Sequence, residues 1–214
     1  MKKGDFLWLG AMAAIVAFLL FPTTHELFND WTHAQPYLMG FVKFAILATM
    51  GELMALRIVT GDYKKPAGLV WRMIIWGLIG MLITLMFSVF AGGVVAAQEA
   101  GKLPFEGNNF AFAFFTSAIM NLIFAPTFMA FHKYTDTYLD LKAETGSSPS
   151  IKDITLKIDW YGFVSFVLMK TIPFFWIPAH TITFLLPSEY RVLVAAFLSV
   201  ALGALLAIAK KKSK

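Results

Sequence analysis

The 214-residue chain contains no cysteine. That excludes disulfides, thiolate metal sites and cysteine nucleophiles, and it leaves the redox compartment unread. Charge is also scarce. Only 14% of residues are Asp, Glu, Lys or Arg, against about 25% in an ordinary soluble domain. The short motifs of common catalysis are missing too: there is no G-x-S-x-G, no H-E-x-x-H and no phosphate loop G-x-x-x-x-G-K-[ST]. The expectation is therefore a protein that is not an enzyme, with no catalytic residue, no cofactor and no metal. The net charge of +5 sits between apolar segments rather than on a face or tail with stacking aromatics, which argues against nucleic acid as a partner.

What the chain does have is length in its apolar runs. Hydrophobic residues make up 58% of it, and the mean hydropathy is +0.69. Six segments approach or exceed the roughly 17–25 residues needed to span a bilayer: Phe6–Phe21, Pro36–Ile58, Leu69–Ala97, Phe110–Phe131, Trp160–Leu186 and Val192–Ala209. The fold expected is all-α, a single integral membrane domain over residues 1–214 with six spanning helices and the lipid bilayer as its partner. Lys2 and Lys3 ahead of the first apolar run also suit a signal peptide, but no small-residue cleavage site follows Phe21, so a retained helix is expected.

Lysine and arginine set an orientation. Lys2 and Lys3 precede span one, Arg57, Lys64, Lys65 and Arg72 bracket the second loop, and Lys133, Lys142, Lys152 and Lys157 lie in the fourth. Lys210, Lys211, Lys212 and Lys214 form the tail. The alternate loops hold only Lys102 and Arg191, while Lys43 and Lys170 lie within spans. This alternation places both termini in the cytoplasm. In the long fourth loop, Asp136, Asp140 and Glu144 at four-residue spacing extend span four into water until Gly146-Ser147-Ser148-Pro149 breaks it. Ser150-Ile151-Lys152-Asp153 then resembles a capping box. Either a short interfacial helix follows it, or a loop that becomes regular only at Trp160.

Polar residues inside the spans are the functional leads, because unpaired charge in hydrocarbon is costly. At about 1.5 Å per residue, Glu52 lies roughly 9 Å from the inner end of span two and Lys170 roughly 15 Å up span five. Asn121 falls near the middle of span four. Glu52, Lys170 and Asn121 are thus expected to form a polar cluster in the bundle, either around a solute pathway or as a buried ion pair fixing helix register. Lys43 is expected to snorkel outward. His180 reads as a hydrogen-bonded packing residue, and with His25, His33 and His132 scattered no metal-ligand spacing appears. Arg57 and Arg72 are expected at headgroup phosphates. Pro126, Pro173 and Pro178 each free a backbone carbonyl and are expected to face the interior. Ala195, Ser199, Gly203 and Ala207 form a small-residue stripe for close helix packing, within the subunit or in a homo-oligomer.

Residues 36–214 resemble the Mpv/PMP family of small peroxisomal and mitochondrial inner-membrane proteins, which has bacterial relatives; the helix at 6–21 stands outside the likeness. Pro36 leads to Gly51-Glu52, where the family has glycine-aspartate. Arg72 with Gly77 and Gly80, then Phe124-Ala125-Pro126, follow in order. The most specific block is Trp176-Ile177-Pro178, Thr183-Phe184 and Pro187-Ser188-Glu189-Tyr190-Arg191, with Thr183 where the family has asparagine. The resemblance implies a small, weakly selective channel for metabolites or ions, here in a bacterial cytoplasmic membrane. A transporter belongs to the same reading. The alternative is a non-transporting scaffold or assembly protein.

Overall fold

The computed structural model describes residues 2–212. Among these there are eight helices and no strand: α1 (Lys3–Leu20), α2 (Pro22–Ala34), α3 (Pro36–Thr60), α4 (Leu69–Glu99), α5 (Asn109–Thr145), α6 (Ile151–Lys157), α7 (Trp160–Leu185) and α8 (Ser188–Lys212). Helices α1, α3, α4, α5, α7 and α8 are long and apolar enough to cross a membrane. The all-α bundle and its six long helices agree with the sequence reading to within a few residues at each end, except that α5 and α8 extend further.

Helix α3 is the centre of the bundle, and small residues let two neighbours approach its backbone. A Cβ at Gly40 would stand 2.8 Å from the Gly80 carbonyl, and one at Gly80 would strike the Gly40 carbonyl, so α3 and α4 cross in backbone contact. On another face of α3, a Cβ at Gly51 would lie 3.0 Å from Val200 Cα, and one at Gly203 would lie 3.3 Å from the Gly51 carbonyl. The stripe of α8 therefore packs within the chain, with Ala195 and Ala207 both buried. Around these crossings Phe44, Leu47, Ile79, Ile83, Phe87 and Phe184 fill the core.

Helix α1 is tied to α3 at two points. Arg57 donates to both Asp5 oxygens at 2.8 and 3.0 Å, and Trp8 Nε1 donates to the Met50 carbonyl at 2.9 Å. Arg57 thus meets a carboxylate of its own chain. Helix α2 was not anticipated, because a search for long apolar runs passes over a short amphipathic helix. Its causes are local: extended Phe21 breaks α1, and Pro22 supplies the N1 position of the next helix. Phe28 is then buried while Glu26 and Asp30 stay exposed. His25 Nε2, 2.9 Å from the Tyr190 hydroxyl, sets α2 across the start of α8.

Asn108 caps α5 by accepting from the Ala111 amide at 2.9 Å, and the helix runs on to Thr145, where Gly146 at φ 71° ends it. The capping box is present: Ser150 Oγ accepts from the Asp153 amide at 3.2 Å, and Asp153 accepts from the Ser150 amide at 3.0 Å. It starts the short helix α6, which buries Ile154; the loop alternative is not seen. Helix α7 is not uniform. After one α turn its backbone hydrogen-bonds in the wider i→i+5 pattern from Phe163 to Trp176, then returns to α geometry at Ile177. The i→i+5 pattern is rare and is found mostly as single-turn bulges, frequently at functional sites. Pro173 and Pro178 are exposed, contrary to expectation, and Pro126 is half-buried. Only the freed carbonyl needs a polar partner; the pyrrolidine ring is apolar and sits comfortably against lipid.

Candidate functional site

Three helices place charge at one level near the basic end of the bundle. Helix α3 supplies Glu52. One face of α4 supplies Arg72 and Trp76, four residues apart. One face of α5 supplies His132, Asp136 and Asp140 at the same spacing, which aligns side chains along a helix. Trp76 Nε1 donates to Glu52 Oε1 at 2.9 Å. His132 Nε2 lies 3.4 Å from that oxygen and 3.5 Å from Asp136 Oδ2. Arg72 Nη1 stands 2.8 Å from Asp136 Oδ1, Nη2 donates to Asp140 Oδ1 at 2.6 Å, and Nε donates to the Ala67 carbonyl at 3.0 Å. Arg72 is 6% exposed, so it is a buried hub between two aspartates and not a headgroup contact.

The Trp76 and His132 rings are tilted at 40° with centroids 4.1 Å apart, so the imidazole is held against the indole. His132 Nε2 is buried without an aligned hydrogen bond, facing two carboxylates. Donor atoms of Glu52, His132 and Asp136 all lie within 4.8 Å of one another. One nitrogen and two oxygens so placed suit a shared proton or a divalent cation. The sequence reading sought histidines near each other and missed this set, because its other donors are carboxylates from two different helices. The one legible signal was His132 standing four residues before Asp136.

A cavity of about 330 Å³ rises from Glu52, Trp76 and His132 through Phe124, Phe128 and Ser199 to Asn121, Trp176 and His180. A second cleft of about 440 Å³ is lined by Arg72, Asp136 and Asp140. Glu52, Ala55 and Gly203 border both, so Glu52 stands at their junction. At the far end Asn121 is 1% exposed. Its amide donates to the Ser117 carbonyl at 2.8 Å and lies 3.0 Å from His180 Nδ1. Ser117 Oγ donates to the Ile177 carbonyl at 2.7 Å. His180 is thus the hydrogen-bonded interior residue expected. It stacks on Trp176 at 5.1 Å, and Trp176 Nε1 is buried with no partner. Phe87 lies edge-on to His180 and tilted to Phe184, at centroid distances of 5.7 and 4.9 Å.

Of the three residues expected together, Glu52 and Asn121 line one cavity and Lys170 does not join them. Lys170 is exposed on α7, its Nζ 5.9 Å over the Phe166 ring. Depth along the helix had suggested the pair, but direction around the axis decides it, and the wider winding of α7 turns less per residue than an α-helix. The remaining motif residues are mostly structural. Pro36 starts α3, and Gly51 admits α8. Phe184 fills the core, Pro187 turns the chain into α8, and Arg191 Nε donates to the Leu186 carbonyl at 2.9 Å between the Phe112 and Phe184 rings. Comparison with protein-family models, curated proteins and solved structures finds no match to this chain.

Proposed function

We propose that this membrane protein passes small solutes or ions through the bundle, as a channel-like pore or a transporter, with Glu52 at its narrow point. The observation that supports this reading most is the placement of Glu52 where the interior cavity and the charged cleft share a border. A carboxylate at such a junction selects and releases cationic or hydrogen-bonding solutes. His132 beside it offers a second hydrogen-bonding group 3.4 Å from the Glu52 carboxylate. Cavities of this size hold small molecules, and the unpaired Trp176 N–H and the Asn121–His180 pair offer polar contacts at the far end. The Mpv/PMP likeness of Trp176-Ile177-Pro178 and its neighbours points the same way, in a bacterial cytoplasmic membrane.

A scaffold is the second reading. It is favoured by the close Arg72–Asp136–Asp140 and Arg57–Asp5 contacts, which lock helices whether or not a solute passes. Purified protein in liposomes separates the two. Flux of small solutes or ions above that of empty vesicles, lowered by Glu52→Gln and unchanged by Lys170→Leu, is the expected result. Wild-type vesicles as tight as empty ones would leave only the scaffold.

A further inference from the structure

Glu52, His132 and Asp136 are spaced for one ion rather than for one another. His132 and Asp136 stand four residues apart on α5, the spacing that sets two metal ligands on one helix face, and Glu52 meets them from α3. His132 Nε2 lies 3.4 Å from Glu52 Oε1 and 3.5 Å from Asp136 Oδ2. Both separations exceed the roughly 2.7–2.9 Å of a charge-assisted hydrogen bond. In a tetrahedral site with bonds of about 2.0–2.1 Å, neighbouring ligand atoms stand about 3.3–3.5 Å apart. The third side of the triangle, between the two carboxylates, stays within 4.8 Å.

A proton fills this place poorly. One Nε2–H donates in a single direction while two carboxylates face it, and the nitrogen is buried without an aligned partner. A divalent ion bonds all three atoms at once, and its charge matches that of the two carboxylates. The surrounding contacts leave the inner atoms free and hold them in place. Arg72 takes the other oxygen of Asp136, Oδ1. The Trp76 indole donates to Glu52 Oε1 at 2.9 Å and packs against the imidazole, so one side chain orients two ligands, as the outer partners of metal ligands do. The place is also reachable. Glu52 and Asp136 border the charged cleft, where Asp140 adds a further acid, and both side chains are 21% exposed.

We propose that Glu52, His132 and Asp136 bind one divalent transition-metal ion, with a coordination position left open to water from the cleft. One imidazole and two carboxylates without a thiolate do not suit copper(I), and Ca²⁺ takes six to eight oxygens. The tetrahedral spacing suits Zn²⁺ best. The site names the cation class for the pathway at Glu52 and rests on that reading only for passage. Binding is measured without flux, so the two fail separately.

Calorimetric titration of Zn²⁺ into the full chain in detergent, free of any affinity tag, should give one ion per chain and a raised unfolding midpoint. Glu52→Gln and His132→Gln should each weaken binding by more than about tenfold, the lower end of what losing an outer-shell partner alone costs. His33→Ala, at an exposed histidine of α2, should leave it unchanged. Asp136→Cys supplies a positive signal. The chain has no other cysteine, so bound Co²⁺ should acquire a thiolate charge-transfer band that wild type lacks and that Zn²⁺ removes. Wild type that takes up no stoichiometric Zn²⁺ overturns the site. So does undiminished affinity in the folded Glu52 and His132 variants, or a folded, Co²⁺-loaded Asp136→Cys without the band. One bound ion in a protein that passes no Zn²⁺ into liposomes upholds the site and counts against passage.

Discussion

Arg72 holds more of the polar interior together than any other side chain. Its guanidinium reaches Asp136, Asp140 and the Ala67 carbonyl at once, which a lysine ammonium has no planar fork to do. Removing one partner of a buried pair typically costs about 3–5 kcal/mol. Asp140 is half exposed and Asp136 only partly buried, so water recovers some of that. Arg72→Met should therefore lose about 2–3 kcal/mol in denaturant unfolding of the detergent-solubilised protein, and Arg72→Lys should fall between it and wild type. An Arg72→Met curve superimposable on wild type would show the hub to be inert. A smaller residue-scale effect lies at α6. The Ser150 hydroxyl and amide hydrogen bonds hold the Asp153 carboxyl below the usual aspartate range. A depressed folded value contributes stability above the unfolded aspartate pKa near 3.9, lost as pH falls through the folded value. Carboxyl NMR titration should place Asp153 below ordinary aspartates in wild type and nearer to them in Ser150→Ala. Identical titrations would remove the capping box from the account. The Ser150-x-x-Asp153 pattern was readable in the chain because a cap is local, within four residues. The Arg72 hub was not, because its acids come from a helix more than sixty positions away.

At the scale of helices, hydropathy and small-residue spacing carry most of the information. Six spans, the extension of α5 to Gly146 and the packing role of the α8 stripe all follow from patterns along a single segment. Lys170 and α2 do not. The first depends on how the wide turns of α7 rotate its side chains. The second is a helix whose apolar face amounts to little more than Phe28 and is recognised only once α3 and α8 are there to receive it. The α3–α4 crossing gives the sharpest test. A side chain at Gly80 must displace the Gly40 backbone, which cannot move aside as a flexible side chain would. Gly80→Leu is expected to prevent assembly or to lower the unfolding midpoint strongly. At Gly92 and Gly93 on the same helix an added Cβ meets nothing within 4 Å, and alanine there should be neutral or stabilising by up to about 1 kcal/mol. If all three substitutions behave alike, backbone contact does not hold α3 to α4.

For the whole molecule, the question is whether the interior is wet and from which side. The sequence located polar residues by depth and could not show that Glu52 borders two cavities, since those walls come from α3, α4, α5, α7 and α8 together. The absence of cysteine makes the point testable without background, because every introduced thiol is the only one. Three positions suffice: Ser199 on the cavity wall, Lys65 in the basic loop between α3 and α4, and Glu26 on the exposed face of α2. A membrane-impermeant maleimide reacts only where water carries it. With the basic loops inside, Lys65→Cys should label in inside-out vesicles and Glu26→Cys in right-side-out vesicles. Ser199→Cys should follow Lys65→Cys, since the cavity it lines borders the charged cleft at the basic end through Glu52, and Glu52→Gln should alter its rate because that side chain stands at their junction. Labelling of Glu26→Cys and Lys65→Cys from the same side would contradict the orientation given by the basic loops. Silence of Ser199→Cys from both sides, with the two controls reacting, would mean a dry interior, and the solute pathway would have to be abandoned in favour of the scaffold.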